Sequence, residues 1–176
     1  MLKKVFLTSI ITLLLVQSCN AFCTYKKFNF NEDKTDPRSS KILYEYVLKT
    51  ENKTPSEIKE LAGIEPESAR AIAVDLNDDG TKEIIGLVYS TFYWGTAGYS
   101  LFILQKQPYG YKDITYVLNF EPQKNFYVLK TKTNGYKNIR LYGSSAYKFK
   151  SFTVKYENGF YKNYIQIKSL EKALQQ

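Results

Sequence analysis

Short runs of alternating apolar and polar residues, separated by turn residues, constrain the fold of this chain more than any other feature. From Ala69 onward, segments such as FYVLKTK and FKSFTVKYE alternate with a period of two, which indicates half-buried β-strands. Asn134-Gly135 and Asn158-Gly159 stand between such runs, and Asn-Gly favours a two-residue hairpin turn. Because connections this short join antiparallel neighbours, the pattern predicts a meander of about eight antiparallel strands.

Two helices are predicted before the first strand. Apolar residues recur with helical spacing over 40–50, on one face of the helix. The segment from Thr54 to Glu57 combines an N-cap residue, a proline in the first turn and a capping-box glutamate, and Gly63 supplies the end of the helix. The expected fold class is therefore α+β, with two N-terminal helices packed on a mainly antiparallel β-meander.

The first 18 residues are typical of an export signal. Lys3 and Lys4 precede a mainly apolar run of twelve residues from Val5 to Val16. A helix of that length spans roughly 18 Å, which is too short to cross a bilayer. The pattern predicts that 1–18 is a signal peptide and takes no part in the fold.

The residues after the apolar run bear on how the chain is processed. VQSC, from Val16 to Cys19, resembles the lipobox of bacterial lipoproteins, and this resemblance implies cleavage before Cys19 and a lipid on its side chain. The alternative is ordinary signal cleavage after Ala21. In both cases we expect an exported protein, periplasmic or anchored to the membrane by the lipid. Its expected parts are an N-terminal linker over 19–39 and a single globular domain over 40–176.

Composition excludes several kinds of chemistry. The chain contains no histidine, which excludes Ser-His-Asp and Cys-His catalysis and the histidine ligands of catalytic zinc sites. The formal net charge is +8, but the lysines alternate with aromatic residues instead of clustering. Alternating lysines are typical of the solvated face of a sheet and argue against a nucleic-acid interface. A protein without enzymatic activity is therefore expected.

The segment AVDLNDDGTKEIIG, 73–86, collects oxygen-bearing side chains at one turn. Asp75, Asn77 and Asp79 alternate there, and such spacing suits a calcium ion, which takes about six to eight oxygen ligands. An EF-hand is excluded because its twelfth position would be Gly86 instead of a bidentate acid. The alternative is a metal-free turn in which the side chains hydrogen-bond to the backbone.

The sequence VDLNDDGTKEII resembles the calcium loop of FG-GAP repeats, which occur in integrin-type propellers and in many exported bacterial proteins. The resemblance implies a structural calcium ion that stabilises a hairpin. Its implied ligands are Asp75, Asn77, Asp79, Thr81 and Glu83. The motif occurs once, whereas a propeller needs several blades, so the resemblance does not imply a propeller.

A second candidate site is the aromatic segment STFYWGTAGYS, 90–100. It contains Phe92, Tyr93 and Trp94, the last being the single tryptophan of the chain. Aromatic loops on rigid sheets often bind partners by stacking or by apolar contact, so these three residues are predicted to bind a partner. The alternative is that Trp94 folds over the sheet and completes the core.

Together these features predict an exported, lipid-anchored binding protein of the bacterial cell envelope, with a calcium-stabilised hairpin and no enzymatic activity. Its partner would be an unknown protein or glycan of the envelope, and an accessory or inhibitor protein would fit this description. The alternative is an envelope hydrolase that uses carboxylates. That function would require Asp75 or Glu83 to lie near another acid such as Glu121.

Overall fold

The structure is a computed structural model that describes residues 24–95, 98–116, 118–122, 125–143 and 151–163. The described residues form two α-helices, one 3₁₀ turn (Pro66–Ser68) and thirteen strands. The helices are α1 (Pro37–Thr50) and α2 (Pro55–Ala62). The strands are β1 (Thr24–Phe28), β2 (Ala69–Val74), β3 (Glu83–Val88), β4 (Trp94–Gly95), β5 (Gly98–Ser100), β6 (Phe102–Gln107), β7 (Gly110–Asp113), β8 (Thr115–Tyr116), β9 (Asn119–Phe120), β10 (Phe126–Thr133), β11 (Tyr136–Leu141), β12 (Phe152–Glu157) and β13 (Phe160–Lys162).

The strands of the described residues form three sheets. A four-stranded antiparallel sheet has the order β2-β3-β6-β7. A six-stranded sheet has the order β1-β10-β11-β12-β13-β8, and its last pair, β13 with β8, is parallel. A small three-stranded sheet, β4-β5-β9, carries the aromatic segment at one end of the molecule.

The four-stranded sheet is the middle layer, with apolar residues on both of its faces. Ile85 and Leu87 of β3 face the six-stranded sheet and pack in the larger core. Ile84 and Val88, on the opposite face of the same strand, pack beneath the helices. This position explains why every residue of β3 is buried, as expected for a strand covered on both sides.

Helix α1 begins and packs as its sequence dictates. Asp36 caps it by accepting hydrogen bonds from the backbone N–H groups of Arg38 and Ser39, and Pro37 occupies the first turn. Leu43 and Val47 on its inner face are buried against the four-stranded sheet. Helix α2 has the predicted capping box, and Gly63 ends it in the left-handed conformation at φ 61°.

The predicted fold class, α+β with both helices on one meander, is wrong. The fold is mostly β, and the helices cover one face of one of three sheets. The physical reason is that the alternating segments YSLFILQ (99–105) and YKDITYVL (111–118), each of which is typical of one strand, divide into two short strands that pair in different sheets. Alternation predicts that a segment is extended, but it does not specify which strand it pairs with.

The predicted linker over 19–39 does not hold for its described part. Residues 24–28 form β1, which pairs with β10, and Phe28 and Phe30 are buried in the core. Helix α1 also begins three residues before the predicted start of the domain. The signal peptide, Cys19 and Ala21 lie outside the described residues. Among the described residues, neither helix is long and apolar enough to span a membrane.

Candidate functional site

The loop of residues 75–82 between β2 and β3, here named the acidic loop, directs its side-chain oxygens toward its own backbone. Asp75 Oδ1 accepts a hydrogen bond from the N–H of Asp78 at 2.7 Å, and its Oδ2 accepts one from Gly80 at 3.0 Å. Asp78 and Gly80 both have positive φ, at 62° and 84°, which bends the chain around the Asp75 carboxylate. Asp75 therefore acts as the centre of a tight turn.

The same type of contact recurs at the next two alternate positions. Asn77 Oδ1 accepts from the N–H of Asp79 at 3.2 Å, and Asp79 Oδ1 accepts from the N–H of Thr81 at 2.6 Å. The hydrogen bond from Thr81 is the main reason that the pKa of Asp79 is lowered, with a second contribution from the Asn77 amide. These are the side-chain to backbone hydrogen bonds that define Asx turns.

Two lysines from a distant hairpin supply positive charge to this loop. Lys132 Nζ lies 2.6 Å from Asp78 Oδ2, and Lys137 Nζ pairs with Asp78 Oδ1 and donates to the backbone carbonyl of Asp75 at 2.8 Å. The lysine contacts, that from Lys132 first, lower the pKa of Asp78. Lys137 is only 4% exposed, and its ammonium lies 4.4 Å from the ring centroid of Tyr25.

Sequence reasoning missed this lysine because no local signal marks it. Lys137 lies 62 residues from Asp75 in the chain and belongs to β11, where alternating lysines are otherwise expected on the solvated face. Its backbone N–H also donates to the carbonyl of Leu76 at 2.7 Å, which joins the hairpin to the loop. The contact depends on how the two sheets pack, which alternation does not specify.

Glu83, the last predicted calcium ligand, is buried beneath the acidic loop. Its side chain is 1% exposed, and Oε2 accepts a hydrogen bond from the N–H of Leu76 at 2.9 Å. Burial raises the pKa of this carboxyl, with the hydrogen bond from Leu76 opposing the shift. Burial is the main cause that raises the pKa values of Tyr156 and Tyr161, and the negative charge of Glu83 adds to the shift of both.

The predicted calcium ligands therefore lie in one region, but their oxygens already hold other groups. Among the described residues, no group of three or more histidine, cysteine, aspartate or glutamate side chains is arranged to hold a metal ion. In this conformation the carboxylates of Asp75 and Asp79 accept backbone N–H groups, and Glu83 would have to turn out of the core to reach a calcium ion in the loop. Calcium binding by this loop stays a prediction from the sequence.

The aromatic segment lies at the opposite end of β3. Tyr93 is half-buried, donates to Glu51 Oε1 at 2.7 Å, and packs edge-on against Phe102 with ring centroids 5.5 Å apart. Burial, followed by the hydrogen bond to Glu51, raises the pKa of Tyr93. The hydroxyl of Ser90 donates to the carbonyl of Ala62 at 2.7 Å and ties the segment to the end of α2.

Three apolar side chains project from this fixed segment and from α2 into solvent. Leu61 is 67% exposed, Phe92 56% and Trp94 58%. Leu61 and Phe92 line the same shallow depression, and Trp94 stacks on Tyr99 at a centroid distance of 6.3 Å. We name these three residues the apolar patch. Trp94 does not complete the core, which was the alternative interpretation of this segment.

The charges next to the apolar patch are mainly negative. Glu51, Glu57, Glu60 and Lys53 line the depressions that adjoin Leu61. Three carboxylates against one ammonium differ in sign from the chain as a whole, whose formal net charge is +8. The patch is thus an apolar centre with a locally acidic border.

The structure does not place Glu121 beside Glu83, the pairing named above for a carboxylate hydrolase. Glu83 is buried at the start of β3, whereas Glu121 acts electrostatically on Tyr89, just beyond the other end of that strand. Six strand residues separate these ends by roughly 20 Å. Asp75 is committed to the N–H groups of its own turn.

Comparison with protein-family models, with curated proteins and with solved structures found no match. The interpretation of function therefore depends on the geometry of the two sites.

Proposed function

We propose that this chain is an exported, lipid-anchored protein of the bacterial cell envelope that binds another protein through the apolar patch and performs no catalysis. The observation that supports this proposal best is that the exposed side chains of Leu61 and Phe92 line one depression, with Trp94 exposed two residues after Phe92. Exposed aromatic residues of this size are the usual anchors of protein interfaces.

The way in which the patch is held favours binding. Tyr93 fixes the aromatic segment from below through Glu51 and Phe102, and Ser90 ties it to α2. Side chains that are held in place before binding lose less conformational entropy when a partner arrives. A segment fixed in this way, with its neighbouring rings pointing outward, is suited to a preformed interface.

The composition of the patch favours a protein partner over a glycan. Leu61, the most exposed of the three residues, has no hydrogen-bonding group for a sugar hydroxyl. The carboxylates of Glu57 and Glu60 at its border would attract a basic border on the partner and speed its association. The expected partner surface therefore has an apolar centre flanked by lysine or arginine.

Photocrosslinking in the envelope tests this proposal with the full chain. A benzophenone side chain at position 92 is expected to form a discrete adduct with one protein, and Leu61→Ser in the same chain is expected to reduce that adduct strongly. Tyr109 is 97% exposed on the β6–β7 turn and provides the control position. Equal adducts from positions 92 and 109, or an adduct unaffected by Leu61→Ser, would contradict a role for the patch.

The calcium-stabilised hairpin is a separate proposal, supported by the spacing of Asp75, Asn77 and Asp79. Extracellular modules bind calcium with dissociation constants of about 10⁻⁴–10⁻³ M, so the test uses calcium above that range. Calcium is expected to raise the melting temperature relative to chelator, and Asp79→Ala is expected to remove the difference. Equal melting temperatures would leave Lys132 and Lys137 as the counter-charges of the loop.

A further inference from the structure

An open groove of about 490 Å³ lies between the acidic loop and the first turns of α1, on the helix-facing side of the four-stranded sheet. Its floor is apolar and consists of Ala73 and Ile84 on the helix-facing side of β2 and β3. Ile42 of α1 and the ring of Tyr111 on β7 form its walls. Grooves of this size accommodate small organic ligands.

Three cationic side chains border this groove. Arg38, Lys82 and Lys106 come from α1, the residue before β3, and β6, and all three are exposed. In the part of the chain that the structure describes, the ion pairs are made by other lysines. Arg38 lies close enough to Asp36 to lower the pKa of that carboxyl but forms no ion pair with it. Their charge is available to a ligand.

Asp36 is the single acid among the residues that line the groove in the described structure. Its carboxylate accepts hydrogen bonds from the Ser39 hydroxyl and from the backbone N–H groups of Arg38 and Ser39. These bonds, the Ser39 hydroxyl first, lower its pKa, so it stays ionised and committed to capping α1. The lining therefore carries two more positive than negative charges.

We propose that this groove, here named the basic groove, binds a small phosphate monoester that carries a flat apolar group. A phosphate monoester has a charge of about −2 at neutral pH, which matches the excess charge of the lining. The planar guanidinium of Arg38 suits bidentate contact with phosphate oxygens, and the ammonium groups of Lys82 and Lys106 add positive charge. The apolar part would lie on Ala73 and Ile84 against the ring of Tyr111.

The carboxylates of the acidic loop do not oppose this assignment. Asp75 and Asp79 turn toward backbone N–H groups, Asp78 pairs with Lys132 and Lys137, and none of the three lines the groove. The loop contributes Gly80, Thr81 and Lys82 to the groove instead. The lysines thus neutralise Asp78, whereas Asp75 and Asp79 keep their charge but direct their oxygens at backbone N–H groups of the loop.

This proposal is independent of the proposed binding of a partner by the apolar patch. The basic groove adjoins the beginning of β3 and the apolar patch follows its end, so the two surfaces lie at opposite ends of one strand, roughly 20 Å apart. Loss of partner binding in Leu61→Ser would leave the groove unchanged, and loss of the groove cations would leave the patch unchanged.

Calorimetric titration of the full chain with phenyl phosphate tests the assignment, with inorganic phosphate titrated in parallel. Phenyl phosphate is expected to bind at least about fivefold more tightly than inorganic phosphate, because only the ester contacts the apolar floor. The double variant Lys82→Ala/Lys106→Ala is expected to weaken binding by about tenfold or more. Lys27→Ala/Lys155→Ala removes the same charge from exposed strand positions elsewhere and is expected to change affinity less than about twofold.

Three results would overturn the proposal. The first is no detectable binding of phenyl phosphate at millimolar concentration. The second is an equal loss of affinity in the two double-lysine variants, which would indicate attraction by net charge alone. The third is equal affinity for inorganic phosphate and the ester, which would exclude the apolar floor. Thermal melting of each variant, expected to match the parent chain, verifies that the fold is retained.

Discussion

At the scale of the residue, Lys137 decides how the charges of the acidic loop are balanced. Its buried ammonium contacts the carbonyl of Asp75, the carboxylate of Asp78 and the ring of Tyr25. A lysine is rarely buried unless it is paired, and here the pairing partners come from the loop itself. The chain thus carries a cation of its own at the place where the sequence pattern suggests one from solution.

Replacing this lysine tests its contribution. We expect Lys137→Met, which keeps most of the volume, to lower the free energy of unfolding by about 1–3 kcal/mol, because the Asp75 carbonyl loses its donor. Urea unfolding measures the change. Lys132→Met removes a more exposed partner of Asp78 and is the matched control, with a much smaller expected effect. Equal effects of the two substitutions would show that burial of Lys137 does not matter.

Glu83 makes stability depend on pH. Its folded-state pKa is raised above the ordinary value of 4.5, so the folded state keeps this proton to higher pH than the unfolded chain does. The free energy of unfolding should therefore fall as pH rises from about 4.5 through the raised pKa. We expect Glu83→Gln to remove this dependence. The stability of the variant relative to the parent chain should then increase as pH rises above about 4.5.

Urea unfolding of both proteins across this pH range supplies the measurement. The informative quantity is how the difference in the free energy of unfolding between the variant and the parent chain changes with pH. The glutamine amide alters hydrogen bonding to a similar extent at every pH, so that effect does not contribute to the change. A difference that is constant with pH would mean that the carboxyl of Glu83 titrates normally in the folded state.

At the scale of the element, the packing of α1 on β3 depends on one glycine. A Cβ at Gly86 would lie 2.6 Å from Leu43 Cδ2, 2.7 Å from the Arg70 carbonyl oxygen and 2.8 Å from Ala71 Cβ. Real Cβ atoms do not approach other atoms so closely, so the strand carries glycine where the helix crosses it. The absence of a side chain at this position lets α1 pack closely on the four-stranded sheet and cover the apolar residues between them.

We expect Gly86→Ala to destabilise the fold by about 1–3 kcal/mol through overpacking. Leu43→Ala removes one of the clashing atoms, so the double variant should be more stable than the two single effects predict. A double-mutant cycle by chemical denaturation measures this coupling. Strict additivity would show that the contacts with Arg70 and Ala71, and not the one with Leu43, cause the strain.

At the scale of the whole molecule, the segment predicted as a linker holds the two large sheets together. Phe30 is fully buried between Phe28, at a centroid distance of 5.1 Å, and Phe126, at 5.3 Å. The Arg70 guanidinium also donates to the carbonyl of Phe30. The N-terminal segment is therefore structural, and its aromatic rings belong to the larger core.

We expect Phe30→Ala to lower the free energy of unfolding by about 3–5 kcal/mol because it leaves a cavity in that core. Phe92→Ala removes the same side chain from the exposed patch and is the matched control, with an expected change within about 0.5 kcal/mol. Chemical denaturation of the two variants gives the comparison. Similar values for both would contradict the placement of Phe30 in the core.

Local features of the structure follow from the sequence because neighbouring residues produce them. The capping box at Thr54 and Glu57, the left-handed Gly63 and the strands β2 and β3 form as their patterns predict. Asn134 and Asn158 each adopt positive φ beside a glycine, as a tight hairpin turn requires. The cap and the turns are satisfied by contacts a few residues apart, and β2 and β3 pair across a single loop.

The arrangement of the candidate sites depends on contacts between distant residues. The sequence by itself determined that the chain is rich in strands, that the acidic loop is a turn, and that residues 92–94 are a candidate surface. Tertiary structure decided that Lys137 reaches the loop, that Glu83 lies in the core, and that Trp94 faces solvent. The physical reason is that alternation gives each strand two faces, whereas only sheet-on-sheet packing decides which face is buried and which side chain meets it.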